Sequence, residues 1–320
     1  MSFKTILKKL DFMAECRKYN LGFWQCPNSL FLVMGIIIIV AMILTYFIGI
    51  RFIEPEIVIG IVSIVTAILL IIGHSLVGSF ARIAESNRMK SEFVGIVSHQ
   101  LRTPLSSLKW SLDLLQGKRL GDLNEKQTEY LEIIEDSNNR MIKLVNDLLN
   151  VNRIDQERLE MRPKDFNLED LVEQIVRELM PIANSRNVLI NYKNSKKLPM
   201  VFADPDRIQM VVQNLIDNAI KYSKKEGGSI DVVVEEDRKN NKMIRITVKD
   251  NGIGIPEMFQ KQVFGKFFRG DNLIKQRVEG TGLGLFIAKG IINLSGGQID
   301  FESKENVGST FWCTLPIAKK

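Results

Sequence analysis

Two long apolar runs near the start of the chain are followed by amphipathic and then mixed patterns. Residues 30–50 carry no charge, and residues 57–80 are interrupted only by serine, threonine and His74. An α-helix needs roughly 20 apolar residues to cross about 30 Å of hydrocarbon, so each run can span a membrane. Two buried core helices are the alternative, but core helices are rarely this uniformly apolar. The pattern predicts a transmembrane hairpin.

Charges beside the two runs predict how this hairpin is oriented. Residues 1–29 carry more bases than acids, and Arg82, Arg88 and Lys90 follow the second run, whereas the loop 51–56 holds one base and two acids. By the positive-inside rule, both termini are cytoplasmic in a multi-pass protein of the inner (cytoplasmic) membrane. The first run exceeds the apolar region of a cleaved signal peptide, so we interpret it as a retained anchor.

The net charge of +6 is partly explained by these flanks. Nucleic-acid binding would need a basic patch with interleaved aromatic residues, which the sequence does not contain. We therefore expect no nucleic acid among the partners, and we expect membrane lipid around the hairpin.

Apolar residues recur at helical spacing in two stretches after the hairpin. They predict two amphipathic helices, the first bent at Pro104 and the second covering 124–154. Two antiparallel helices of this kind cannot bury their stripes alone, so we expect residues 93–158 to form a four-helix bundle with a second copy, a homodimer. The stripes consist of Phe93, Val97, Leu101, Leu105, Leu108, Leu112 and Leu115, and of Tyr130, Ile134, Met141, Val145 and Leu148.

From residue 159 the pattern changes to mixed helix and strand. Asn167, with Asp170 three residues later, resembles an N-cap and predicts a helix that ends near 185. The alternation predicts an α/β domain over 159–320, with a mixed sheet layered against helices in a two-layer sandwich. The further predicted helices are 205–222 and 283–294, and the predicted strands are 188–192, 230–235, 243–249, 298–303 and 310–315.

His99 is the only imidazole outside the apolar runs, because the chain has two histidines and the other is His74. At about 100° per residue, its ring lies roughly 200° from Val97 and from Leu101, away from the apolar stripe. This placement predicts a solvent-facing side chain that is available for chemistry. A histidine satisfied in the core is the alternative that the periodicity disfavours.

Three later motifs have the residue types of a nucleotide site. Asn214, Asn218 and Lys221 share one helix face; an amide oxygen can hold a cation already neutralised by phosphates, and a lysine suits phosphate oxygens. Asp250 follows a strand and can accept a hydrogen bond from an exocyclic amine, while the glycines after it allow close backbone approach. The Gly-rich segment 280–285 opens a helix, and exposed N–H groups there can bind phosphate.

The chain from Arg82 to Pro316 resembles the transmitter of a bacterial-type two-component sensor histidine kinase, with a GHKL-type ATP-binding domain. The resemblance is carried by the histidine box at 98–105, the asparagine box at 214–222 and the two glycine boxes. It is also carried by Phe264-Gly265-Lys266-Phe267-Phe268-Arg269 and by Gly308-Ser309-Thr310-Phe311, all in the family's order.

The resemblance implies a role for each box. It makes His99 the phosphoacceptor, Asn218 the ligand of Mg²⁺ on ATP, and Asp250 the reader of the adenine amine. It places a mobile lid over 264–280, and it makes Thr103 the residue that orients water for phosphatase action. The implied ATP-binding residues are Asn214, Asn218, Lys221, Tyr222, Asp250, Gly252, Gly254, Ile255, Lys266, Phe268, Arg269, Gly280, Thr281, Gly282, Leu283, Gly284, Leu285 and Thr310.

Gln100 departs from the family pattern, in which the residue after the histidine is commonly Glu or Asp. A carboxylate can accept the imidazole proton, but an amide cannot act as a base near neutral pH. Because phosphoryl transfer depends mostly on positioning and charge stabilisation, we expect autophosphorylation to be slowed rather than lost.

The predicted organisation is a cytoplasmic segment over 1–29, a transmembrane hairpin over 30–80, a connecting helix over 81–92, and the two domains described above. The predicted activity is that of an ATP-dependent protein-histidine kinase, which phosphorylates His99 and passes the phosphate to an aspartate of a response regulator. Gln100 favours one alternative, a catalytically silent dimeric scaffold that binds a regulator. A general ATPase of the same nucleotide fold would leave the histidine box unexplained.

Overall fold

The computed structural model describes residues 27–52, 54–117, 121, 123–194, 198–224, 226–268 and 280–318. The predictions for residues 1–26, for Arg269 and for most of the lid therefore lie outside the described residues. Two compact units divide the chain, 1–97 and 98–320, and each is described by itself.

Two helices in the first part of the chain have the length and composition to cross a membrane. Helix α1 is Pro27–Gly49, and α2 is the 62-residue helix Pro55–Gln116. Their candidate spans, Phe31–Gly49 and Pro55–Ser79, have mean hydropathies of 2.9 and 2.7 and are almost entirely unburied. The two helices approach closely at glycines, because Gly49 lies against Val58 and Gly73 against Met34.

A helical hairpin follows. Pro104 lies within α2, which continues to Gln116, and the bend expected there stays a prediction. Helix α3, Glu125–Asp155, begins with a capping box in which Asn124 and Gln127 exchange side-chain and backbone hydrogen bonds. Much of the predicted apolar stripe is exposed in a single chain, as in the case of Leu101 at 46% and Met141 at 45%.

The strands of the α/β part are β1 Lys164–Phe166, β2 Val188–Asn194, β3 Val201–Ala203, β4 Gly228–Glu236, β5 Met243–Asp250, β6 Ile299–Lys304 and β7 Gly308–Pro316. Five of them form a sheet of order β2-β4-β5-β7-β6, in which only β2 and β4 pair in parallel. A small sheet pairs β1 with β3. The helices are α4 Leu168–Ser185, α5 Pro205–Lys221, α6 Glu257–Gln260 and α7 Gly284–Leu294.

Alternation along the strands explains why these segments form one layer against helices. Buried and partly exposed residues alternate through β4 and β5, so one face of the sheet joins the core with α4, α5 and α7. Side-chain caps at Asn167 and Asp204 begin α4 and α5. The two-layer α/β prediction is confirmed, while β1, β3 and α6 were not predicted because they are too short to show a periodicity.

Candidate functional site

A cavity of about 200 Å³ opens beside the C-terminal half of α5 and the loop after β5. Seven of the residues predicted to bind ATP line it: Asn218, Tyr222, Asp250, Gly254, Ile255, Phe268 and Leu285. The other lining residues are Ala219, Ile253, Pro256, Phe259, Val263, Glu305, Asn306, Ser309 and Phe311. The cavity is thus mostly apolar with a few polar groups, which is typical of a site for a flat organic ring.

Asp250 is the buried acid of this cavity, with only 7% of its surface exposed. Its Oδ1 accepts hydrogen bonds from the backbone N–H of Gly252 at 2.8 Å and of Ser309 at 3.2 Å. Burial raises the pKa of this carboxyl above its ordinary value, and the two backbone hydrogen bonds oppose that shift. These bonds fix the carboxyl so that its other oxygen can accept a hydrogen bond from a ligand amine.

The glycines after Asp250 allow two backbone segments to approach closely. A Cβ at Gly252 would lie 2.2 Å from the carbonyl oxygen of Tyr222. Gly254 has a φ of +66°, and a Cβ there would lie 2.0 Å from the carbonyl oxygen of Lys304. Only glycine fits both positions, so the loop after β5 packs directly against the backbone of Tyr222 and Lys304.

Of the predicted asparagine helix face, Asn218 lines the cavity, whereas Asn214 and Lys221 do not. Asn214 lies against Gly284, where a Cβ would come within 2.2 Å of the Asn214 side-chain oxygen. The amide Nδ2 of Asn214 is buried and has no hydrogen-bond partner among the described residues. Lys221 donates to Asp217 Oδ2 at 2.6 Å, and Lys143 of α3 lies 3.6 Å from the same oxygen.

The start of α7 carries the predicted phosphate motif. Gly282 has a φ of +69° and packs against the backbone of Phe267 and Phe268, so a side chain there would be strained and crowded. Two polar residues of the predicted phosphate end contact α3 in this structure. Thr281 Oγ1 donates to Asp147 Oδ2 at 3.1 Å, and Lys266 Nζ donates to Asp155 Oδ2 at 2.6 Å.

Thr310 differs from the expectation drawn from the resemblance. Its neighbours Ser309 and Phe311 line the cavity, and side chains alternate along β7, so Thr310 points to the other face of the sheet. Ser309 and Phe311 are the residues of this motif that line the cavity, and the N–H of Ser309 donates to Asp250. Sequence reasoning also missed Phe259, whose ring lies 5.9 Å from that of Phe268, because α6 is a single turn.

His99 is exposed on α2, as the periodicity predicted, and Gln100 and Thr103 are exposed beside it. Two buried polar residues, Ser98 and Asn138, lie near the histidine. Ser98 is fully buried, and Asn138 of α3 donates through Nδ2 to the carbonyl oxygen of Leu105 at 3.2 Å. The amide of Asn138 therefore ties α3 to the turn of α2 that follows Pro104, a contact that no spacing rule reveals.

Comparisons with known proteins identify both parts of this arrangement. Residues 203–319 match the family described as histidine kinase-, DNA gyrase B- and HSP90-like ATPase, and residues 89–157 match the His Kinase A (phospho-acceptor) domain. The fold and site thus define a nucleotide-binding α/β domain joined to a phospho-acceptor hairpin. The chain therefore belongs to the two-component histidine kinase family, and residues 89–319 are its transmitter.

Named relatives support the same assignment. The chain is 35% identical over 234 residues to the signal transduction histidine-protein kinase BarA of Escherichia coli K12, covering 72% of this chain and 25% of BarA. It is 32% identical to the sensor protein GacS of Pseudomonas syringae, covering 73% and 26%. The crystal structure of full-length ShkA in complex with AMPPNP superposes with a TM-score of 0.60 at 26% identity, covering 72% and 46%. The chain spans about a quarter of the length of these curated relatives.

Proposed function

We propose that this chain is a membrane-anchored sensor histidine kinase that phosphorylates its own His99 from ATP. The observation that carries the proposal is the combination of an exposed histidine in a phospho-acceptor domain with a cavity whose buried acid is Asp250. The unprotonated imidazole nitrogen of His99 attacks the γ-phosphorus of ATP. The bond between that phosphorus and the β–γ bridging oxygen breaks, so ADP leaves, and the proton on the other ring nitrogen is lost to solvent.

The residues of the cavity fit ATP with Mg²⁺. Asp250 would accept the hydrogen bond of the adenine amine, and the unpartnered amide of Asn214 supplies a free donor near the start of α7. Asn218 would hold Mg²⁺ through its amide oxygen, because a cation shared with phosphates needs few protein ligands. The metal supplies charge neutralisation of the phosphates when it is bound.

The proposal includes a homodimer and a response regulator as partners. The exposed apolar side chains of α2 and α3 support dimerisation, because a second copy would cover them. The phosphate of His99 would pass to an aspartate of a receiver domain, and Thr103 would orient water for the reverse dephosphorylation. The two apolar helices support anchoring in the cytoplasmic membrane with both termini inside.

Labelling by γ-³²P-ATP tests the proposed activity on the full chain in detergent. We expect a phosphate that is labile in acid and stable in base, as for a P–N bond, and its loss in His99→Ala. His74→Ala is the matched control, because it removes the other histidine and should retain the label. Label that survives His99→Ala would contradict the assignment.

A catalytically silent scaffold is the second candidate, and Gln100 is the observation that favours it. Such a protein would still bind nucleotide and dimerise. The labelling experiment separates the two, because the scaffold would bind an ATP analogue without acquiring phosphate on any residue.

A further inference from the structure

One face of α3 contacts the phosphate end of the nucleotide domain at four successive points. At about 100° per residue, Lys143, Asp147 and Ile154 lie within about 40° of one another around α3, and Asp155, next to Ile154, lies at the edge of this face. Their counterparts are Asp217, Thr281, Gly290 and Lys266.

Apolar packing anchors this surface. Val151, on the same face of α3, is 5% exposed and belongs to the core cluster that contains the sheet and helices of the α/β part. Ile154 packs on α7 where Gly290 leaves room, because a Cβ at Gly290 would lie 2.8 Å from the Ile154 side chain. Apolar packing thus accompanies the polar contacts between α3 and the nucleotide domain, so these contacts belong to a packed interface.

The two carboxylates of this face bind groups that ATP phosphates would also use. The single hydroxyl proton of Thr281 is donated to Asp147, which is 8% exposed, so it cannot be donated to a phosphate oxygen at the same time. Asp155 accepts from Lys266 at 2.6 Å, and each partner is only about two-fifths exposed. Both carboxylates also bring negative charge toward the place where a triphosphate would lie.

We propose that Asp147 and Asp155 act as an internal phosphate mimic that competes with the nucleotide phosphates for Thr281 and Lys266. This inference rests on the proposed function, because it assumes that these two residues face the phosphates of bound ATP. It makes nucleotide affinity depend on the position of α3. A movement of α3 away from α7 would release both groups and strengthen the binding of the triphosphate, while binding of the adenosine half would be unchanged.

The test compares two ligands on the full chain in detergent, using calorimetry with Mg²⁺-AMPPNP and with adenosine. The variant Asp147→Ala/Asp155→Ala removes both carboxylates, and alanine retains the helix. Glu132→Ala/Asp136→Ala is the matched control, since it removes the same charge from exposed positions of the same helix. We expect the first variant to bind AMPPNP about ten-fold more tightly. The nucleotide would no longer have to displace one ion pair and one charged hydrogen bond, and contacts of these kinds have energies of that order.

Adenosine distinguishes the possible outcomes. Unchanged adenosine affinity with tighter AMPPNP binding supports the phosphate mimic, whereas unchanged AMPPNP affinity, or equal tightening for both ligands, overturns it. If the double variant does not fold, Asp155→Ala alone should still bind AMPPNP about two- to three-fold more tightly, since its ion pair is partly exposed. Failure of every protein to bind either ligand would overturn the proposed function as well.

Discussion

The two ends of the proposed nucleotide site, the base end at Asp250 and the phosphate end at Lys266 and Thr281, are built differently. At the base end, Asp250 is buried, held by two backbone N–H groups, and followed by glycines packed against the backbone of the domain. At the phosphate end, Lys266 and Thr281 make polar contacts with α3, and Arg269 lies outside the described residues. The base end is therefore part of the core, whereas the phosphate end consists of side chains that can exchange one acceptor for another.

This difference has a physical reason. A buried carboxylate is tolerable only where its hydrogen bonds are already in place, so the base end must be organised before the ligand arrives. Lysine and threonine side chains can donate to water, to a carboxylate or to a phosphate, so the acceptor at this end can change. Regulation of such a site is therefore expected at its phosphate end.

Asn218→Ala should have the largest effect, because it deletes the amide oxygen proposed to hold Mg²⁺. We expect Mg²⁺-dependent labelling of His99 to fall below detection without unfolding of the domain, measured with γ-³²P-ATP. Asn293→Ala, an exposed asparagine on α7, is the matched control and should retain full labelling. Normal labelling of the Asn218 variant would mean that the metal is held elsewhere.

Gln100→Glu should have the next largest effect, and it tests the transfer of the γ-phosphoryl group to His99. If proton acceptance by the missing carboxylate limits the reaction, autophosphorylation at saturating ATP should rise by about 10²-fold, the lower end of general-base contributions. A flat or reduced rate, with Gln100→Ala worse than either, would show that the amide instead orients the ring.

Gly254→Ala tests whether the base end is preformed. The left-handed backbone alone costs about 1–2 kcal/mol for a residue with a side chain, and the contact with the Lys304 carbonyl adds to that cost. We expect loss of adenosine binding and a lower urea midpoint. Gly296→Ala is the control, because Gly296 has a φ of +73° but open space around its Cβ position, so it should show the backbone cost alone and keep adenosine binding.

Asp250→Asn should have the smallest effect on stability, with a defined pH dependence. Burial raises the folded-state pKa of Asp250, so the stability it contributes is present below the unfolded pKa and is lost as pH rises through the folded pKa. Asparagine keeps the acceptor oxygen and remains neutral. The unfolding free energy of the variant relative to the wild type should therefore increase from pH 4 to pH 7, by on the order of 1 kcal/mol.

Urea midpoints measured across that pH range check this expectation, with the exposed Asp300→Asn as the control. A difference that stays constant or falls with rising pH would contradict it. The same variant should discriminate less between ATP and GTP, because an amide can donate as well as accept.

The agreement between sequence and structure is greatest where a pattern is long and local. The helix beginning after Asn167 has the expected cap, and the five strands of the large sheet match the predicted segments within about two residues. The exposure of His99 followed from helical periodicity alone. These features depend on neighbours a few residues away, so the sequence records them directly.

Other features required the folded chain. Thr310 was selected by motif position, yet it is the backbone N–H of Ser309 that donates to Asp250. The pairing of Lys266 with Asp155 joins residues far apart in the chain, and it depends on how α3 packs on α7.

By itself, the sequence predicted which residues would carry the chemistry: the histidine, the asparagine face, Asp250 and the glycines around it. Those are fixed by residue type and short spacing, because helix and strand periods are local properties of the backbone. Only the tertiary structure decided which distant groups the predicted site residues contact. An example is the binding of Thr281 and Lys266 by the carboxylates of α3. Contacts of that kind arise from packing between distant segments, and apolar packing is non-directional, so no local pattern specifies them.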